Sequence, residues 1–149
     1  MSLYKRILAV LDLSEHSERI ARRALQIVEA CPNCSLTLLH IVEFVPVEPL
    51  SDSLMPAVQI ESELLESARQ RLAQLAGTLS DPPLPWRVGS GNVKAEIVRA
   101  AREGGFDLIV IGSRERHGLS ILVNLTEDTV LHAAPCDVLA VRLPPPQGS

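Results

Sequence analysis

Short apolar runs alternate along this chain with longer stretches of helical period. Arg6 to Leu11 (RILAVL) is an unbroken apolar run after its first residue, as expected of a strand covered on both faces. Asp12-Leu-Ser14 follows, with Ser14 suited to cap a first helix reaching about Ala30 and Glu15 and Glu18 favouring its positive end. Ile20, Ala24, Leu25 and Val28 then share one face of that helix, and Arg19, Arg22 and Arg23 lie on the other. Pro32-Asn33 stops it, and Ser35 to Val42 (SLTLLHIV) reads as a second buried strand.

An irregular stretch from Glu43 to Pro56 follows, interrupted by Pro46, Pro49 and Pro56. From about Val58 to Leu79, apolar residues at Ile60, Leu64, Ala68, Leu72 and Leu75 predict a second helix with these side chains in its buried stripe. A short strand is expected around Trp86 to Val88, then a turn over Gly89 to Asn92, with Asn92 capping a third helix from Val93 to Glu103. Gly104-Gly105 ends that helix where a left-handed residue needs no Cβ. Asp107 to Ile111 is the fourth strand, about Leu122 to His132 the last helix, and Asp137 to Leu143 the fifth strand.

Strict alternation of strands and helices predicts an α/β fold: an open, doubly wound, five-stranded parallel sheet with helices on both faces, Rossmann-like in its layers. No internal repeat or boundary divides the chain, so residues 1–149 are expected to form one domain, with 1–4 and 144–149 as flexible ends. Ligands bind such sheets at the carboxyl ends of the strands, where strand order reverses. Asp12, Val42 and Gly112-Ser113 stand at those ends.

Composition narrows the chemistry. Aromatics are 3% of the chain, which leaves the core to aliphatic side chains and argues against a stacking platform for single-stranded nucleic acid. A net charge of −4 supplies no general attraction to DNA or RNA, and no nucleic-acid partner is expected. Ile7 to Leu11 is too short for a signal peptide or membrane span, so no membrane association and a cytoplasmic location are expected.

Cys31-Pro-Asn-Cys34 has the spacing of a redox pair or of half a zinc site. A redox CxxC opens a helix after a strand, whereas this one closes a helix, and no second pair completes a metal site. The context therefore favours reduced thiols at a helix–strand turn. His16, His40, His117 and His132 show no metal-ligand spacing, and no metal site is expected. Ser14 and Ser113 lack a matched base and a G-x-S-x-G elbow, and the paired acids of a phosphoreceiver domain are absent, so no catalytic residue is assigned.

The stretch Leu108 to Thr126 (LIVIGSRERHGLSILVNLT) has the layout of a phosphate-binding strand–loop–helix corner, its turn placed at Gly112-Ser113 and Gly118 in its loop. Together with ILAVLDLSEHSERIARRA, GSGNVKAEIVRAA and HAAPCDVLAVR, it resembles the universal stress protein family over essentially the whole chain. The resemblance implies an adenine-nucleotide-hydrolase-like fold and a role in stress resistance. It also implies homodimers that pair their last strands antiparallel, here Asp137 to Leu143.

In the nucleotide-binding branch of that family, the fourth strand leads into G-x2-G-x9-G-[ST], which wraps a triphosphate. An Asp after the first strand contacts the adenosine part. The resemblance then assigns Asp12, Val42, Gly112, Ser113, Gly118 and Thr126 to a nucleotide, if one binds.

Glu115 and Leu125 stand where the second and third glycines belong. A cradle glycine lets backbone approach phosphate closely. Glu115 adds a negative charge, and two like charges 4 Å apart repel by about 4 kcal/mol at an effective dielectric near 20. Leu125 puts a branched side chain into the space, although its helical spacing from Leu122 also suits ordinary core. Asp12 is equally readable as the acidic start of the first helix. The pattern leans toward the universal stress protein A branch, which lacks the glycine motif: no cofactor expected, with ATP as the alternative.

Overall fold

The structure is a computed structural model that describes residues 3–43, 54–114, 130 and 132–144. Among the described residues, five strands and three long helices follow one another as β1 (Arg6–Val10), α1 (Ser17–Ala30), β2 (Ser35–Glu43), α2 (Leu54–Leu79), β3 (Trp86–Gly91), α3 (Val93–Glu103), β4 (Leu108–Arg114) and β5 (Asp137–Leu143). The strands form one sheet in the order β3-β2-β1-β4-β5, and every pair is parallel. This is the doubly wound arrangement that the alternation of elements predicted. Of the helix expected over Leu122 to His132, residues 130 and 132 are described, and they are helical, as is residue 133.

Strand alternation sorts the apolar side chains into two cores. Ile7, Ala9 and Leu11, with Leu36, Leu38, Leu108 and Val110, pack under Ile20, Ala21 and Ala24 of α1 and Ala68, Leu72 and Ala76 of α2. Leu8 and Val10, with Leu39, Ile41, Ile109 and Ile111, pack under Ile97 and Ala101 of α3 and under Val130. Both faces of the central strands are covered, so β1 and β4 read as continuous apolar runs in the sequence.

Four local expectations need correction. The first helix begins at Ser17 rather than at Ser14, because Asp12 to His16 form their own hydrogen-bonded turn ahead of it. α2 begins at Leu54, with Pro56 in its first turn, where a missing N–H leaves no helical bond unmade. Gly89 to Gly91 are strand rather than turn, since β2 continues beside them and pairs Ile41 with Gly89 and Glu43 with Gly91. Ile60 and Leu64 do not enter the core: they are 52% and 45% exposed, and among the described side chains the buried residues of α2 are Ala68, Leu72 and Ala76.

The end of α3 behaves as its sequence predicts. Asn92 accepts a hydrogen bond from the Ala95 N–H at 2.9 Å, and Gly105 adopts φ 64° at the exit.

Candidate functional site

The strand order reverses between β1 and β4, and the two strands part there. Their pairing ends at Ala9–Val110, whereas β4 continues alongside β5 as far as Arg114–Leu143. Past Ala9, the Leu11 N–H turns to the Leu39 carbonyl of β2 at 2.8 Å. A crevice therefore opens at the carboxyl ends of β1 and β4, in the place that doubly wound sheets use for ligands.

One rim is the loop Leu11 to Ser17. Asp12 is exposed, and its Oδ1 accepts hydrogen bonds from the Ser14 N–H at 3.0 Å and the Ser17 hydroxyl at 3.2 Å. The Ser14 hydroxyl oxygen accepts from the His16 N–H at 3.2 Å. These are the local side-chain bonds by which Asp and Ser build turns in place of helix, and they explain why α1 starts late. Ser17, which is 3% exposed, is the buried polar residue of this turn, and Asp12 supplies its acceptor.

Leu13 sits at φ 60°, in the left-handed region that a branched side chain occupies at a cost of about 1 kcal/mol. Two features hold it there. Its side chain is buried in the core beneath α1 and α2, and its carbonyl accepts a hydrogen bond from the Arg71 guanidinium on α2. One residue earlier, the Leu11 carbonyl accepts from His40 Nδ1 at 2.7 Å, which fixes the proton on that nitrogen because a carbonyl only accepts. Arg71 and His40 thus clamp the loop that carries Asp12. Neither is marked in the sequence as a loop clamp, since both act across long separations in the chain.

The opposite rim begins at Gly112, which the sequence places at a turn. In the structure β4 runs on through Gly112, Ser113 and Arg114, paired with Val141, Arg142 and Leu143 of β5, so Gly112-Ser113 is strand and not a turn. A Cβ on Gly112 would stand 2.8 Å from both Ile20 Cδ1 and Leu143 Cδ1. This glycine leaves the room on β4 that Ile20 of α1 and Leu143 of the neighbouring β5 fill. Ser113 is half-buried on the opposite face of β4. Val42 is 8% exposed and packs into the core under α1 and α2.

Asp12, Gly112 and Ser113 are therefore brought to one end of the sheet, and Val42 lies buried at the same end of β2. Gly118 and Thr126, together with Glu115 and Leu125, lie outside the described residues. Among the described residues, no group of three His, Cys, Asp or Glu side chains is arranged to hold a metal ion. Cys31, Cys34 and Cys136 form no disulfide with one another. No helix among the described residues is long and apolar enough to cross a membrane.

Comparison with known proteins converges on one family. The model of the universal stress protein family matches residues 3–142. Universal stress protein A homolog 2 of Coxiella burnetii is 36% identical over 143 residues, covering 96% of this chain and 98% of the relative. The solved structure of universal stress protein UspA from Lactobacillus plantarum superimposes with a TM-score of 0.69 at 25% identity, covering 93% of this chain and 98% of that one. A universal stress protein solved in complex with cAMP has a TM-score of 0.59 at 22% identity, covering 95% and 98%, a likeness of fold alone.

Proposed function

The chain belongs to the universal stress protein family, and we propose that it is a cytoplasmic, dimeric, non-catalytic stress-response member whose crevice does not hold ATP tightly. The observation that carries this reading is the work already done by the residues at the crevice. The Asp12 carboxylate is engaged by Ser14 and Ser17, and Gly112 is explained by its packing against Ile20 and Leu143 without appeal to a phosphate. Glu115 and Leu125, in place of two cradle glycines, support the same reading from the sequence.

Dimer formation is assigned to β5. It is the last strand in the sheet order and, among the described residues, pairs with β4 alone, so its other edge offers backbone N–H and C=O groups to a second copy. Leu139 is 38% exposed on that strand, which places apolar surface next to the edge.

A second reading, a nucleotide-dependent regulator with slow autophosphorylation on a Ser or Thr, is favoured by one observation. The β1–β4 pairing ends at Ala9–Val110 with an exposed Asp12 beyond it, and a structurally similar family member has been solved with cAMP. Thermal unfolding separates the two. A ligand at 100 times its Kd stabilises the folded state by about 2.7 kcal/mol. We expect no rise in Tm with millimolar Mg-ATP; a clear rise with ATP or cAMP sinks the first reading in favour of the second.

A further inference from the structure

At the amino ends of the strands, opposite the crevice, the Cys31-Pro-Asn-Cys34 segment closes α1 and opens β2. The Cys34 N–H donates to the Cys31 carbonyl at 3.3 Å, and Asn33 adopts φ 66°. Pro at the second position and a left-handed Asn at the third are what a tight turn of this kind selects. Such a turn brings its first and fourth Cα atoms within about 7 Å, close to the roughly 4.4–6.8 Å that a disulfide spans.

The side chains converge as well. Both thiols donate to one acceptor, the Tyr4 carbonyl oxygen, Cys31 Sγ at 3.2 Å and Cys34 Sγ at 3.1 Å. A cavity of about 450 Å³, bounded by Leu3, Tyr4, Ile27 and Pro32, reaches Cys31 from the surface. Cys34 is not part of its wall.

We propose that Cys31 and Cys34 are a dithiol–disulfide site, entered at Cys31, that exchanges with low-molecular-weight disulfides. The Cys31 thiolate attacks one sulfur of a small disulfide R–S–S–R, forming a Cys31–S–S–R bond and releasing R–S⁻. The Cys34 thiolate then attacks the Cys31 sulfur, forming the Cys31–Cys34 bond and releasing the second R–S⁻. The two protein thiols give up two electrons, the small disulfide takes them, and the two thiol protons end on the two released R–SH groups. The Tyr4 carbonyl loses both of its thiol donors in the oxidised form.

Burial, followed by the neighbouring Cys31 thiol, pushes the Cys34 thiol up to about 11, so its thiolate is scarce at neutral pH. The closing step is therefore slow at pH 7 and gains about tenfold in rate per pH unit above it. The dithiol stays reduced through brief exposure and closes under sustained oxidation.

The test uses the full chain, reduced, desalted and incubated with excess oxidised glutathione, then quenched with acid and mapped by non-reducing mass spectrometry. The expected product is a peptide containing both Cys31 and Cys34 that has lost two hydrogens and carries no glutathione. Cys34→Ser, whose hydroxyl can keep the bond to the Tyr4 carbonyl, should stop at glutathione bound to Cys31. Two free thiols at Cys31 and Cys34 after prolonged incubation at pH 9 overturn the proposal. So does a Cys34→Ser chain left unmodified at Cys31, or a disulfide formed only between Cys136 residues of two chains.

Discussion

Gly112 is a single residue with two incompatible explanations, one a phosphate and the other a methyl-sized gap between Ile20 and Leu143. Gly112→Ala separates them without any ligand. Both neighbours are buried and must move to admit a Cβ, so a cost of about 1–2 kcal/mol is expected in urea unfolding, despite the better strand propensity of alanine. Unchanged stability would favour the phosphate explanation. The thiols supply a second prediction at this scale. The folded chain holds the Cys34 proton up to about 11, against 9.0 for an ordinary thiol. Burial is the main cause, so the neutral form is the one that the fold favours. Its contribution is complete below pH 9 and is lost as pH rises through 11, because over that window the unfolded chain binds fewer protons. Stability under reducing conditions should therefore fall across that range, and Cys34→Ser should flatten the fall.

α2 shows what periodicity alone leaves open at the scale of an element. Ile60, Leu64, Ala68, Leu72 and Leu75 fit one helical stripe, yet only its later part meets the sheet. Leu72 is fully buried and Leu64 is 45% exposed, so the same truncation should have different costs. Leu72→Ala should lose about 2–5 kcal/mol, and Leu64→Ala should stay within about 0.5 kcal/mol, both by denaturant unfolding. Equal effects would mean that the first half of α2 packs elsewhere in solution. The ends of β3 and β4 carry a similar lesson. Gly89 to Gly91 and Gly112-Ser113 have turn-like composition, but each extends a strand because a neighbour supplies the ladder, β2 for the first and β5 for the second. Asn92 and Gly105 were legible because capping and a left-handed exit are local requirements of backbone geometry.

For the whole molecule, the edge of β5, unpaired among the described residues, is the feature with consequences beyond one chain. If β5 pairs with its copy, sedimentation of the wild-type chain should show a dimer at micromolar concentration. Ala140→Pro removes a backbone donor from the centre of that strand and should shift the population toward monomer. A monomeric wild-type chain would remove the dimer from the proposed function while leaving the fold and the family untouched.

Read alone, the sequence determined the layers of this protein and their order. Continuous apolar runs of strand length, helical stretches between them and local caps are short-range properties, and right-handed crossovers leave few ways to combine them. It also determined the family, because ILAVLDLSEHSERIARRA and DLIVIGSRERHGL are extended patterns held in order along the chain. Only the tertiary structure decided how the crevice rim is held. The Arg71 bond to the Leu13 carbonyl, the His40 bond to the Leu11 carbonyl and the contact of Gly112 with Ile20 and Leu143 all join distant segments. Such contacts depend on how helices settle on the sheet, a balance of packing over the whole core that no local pattern encodes.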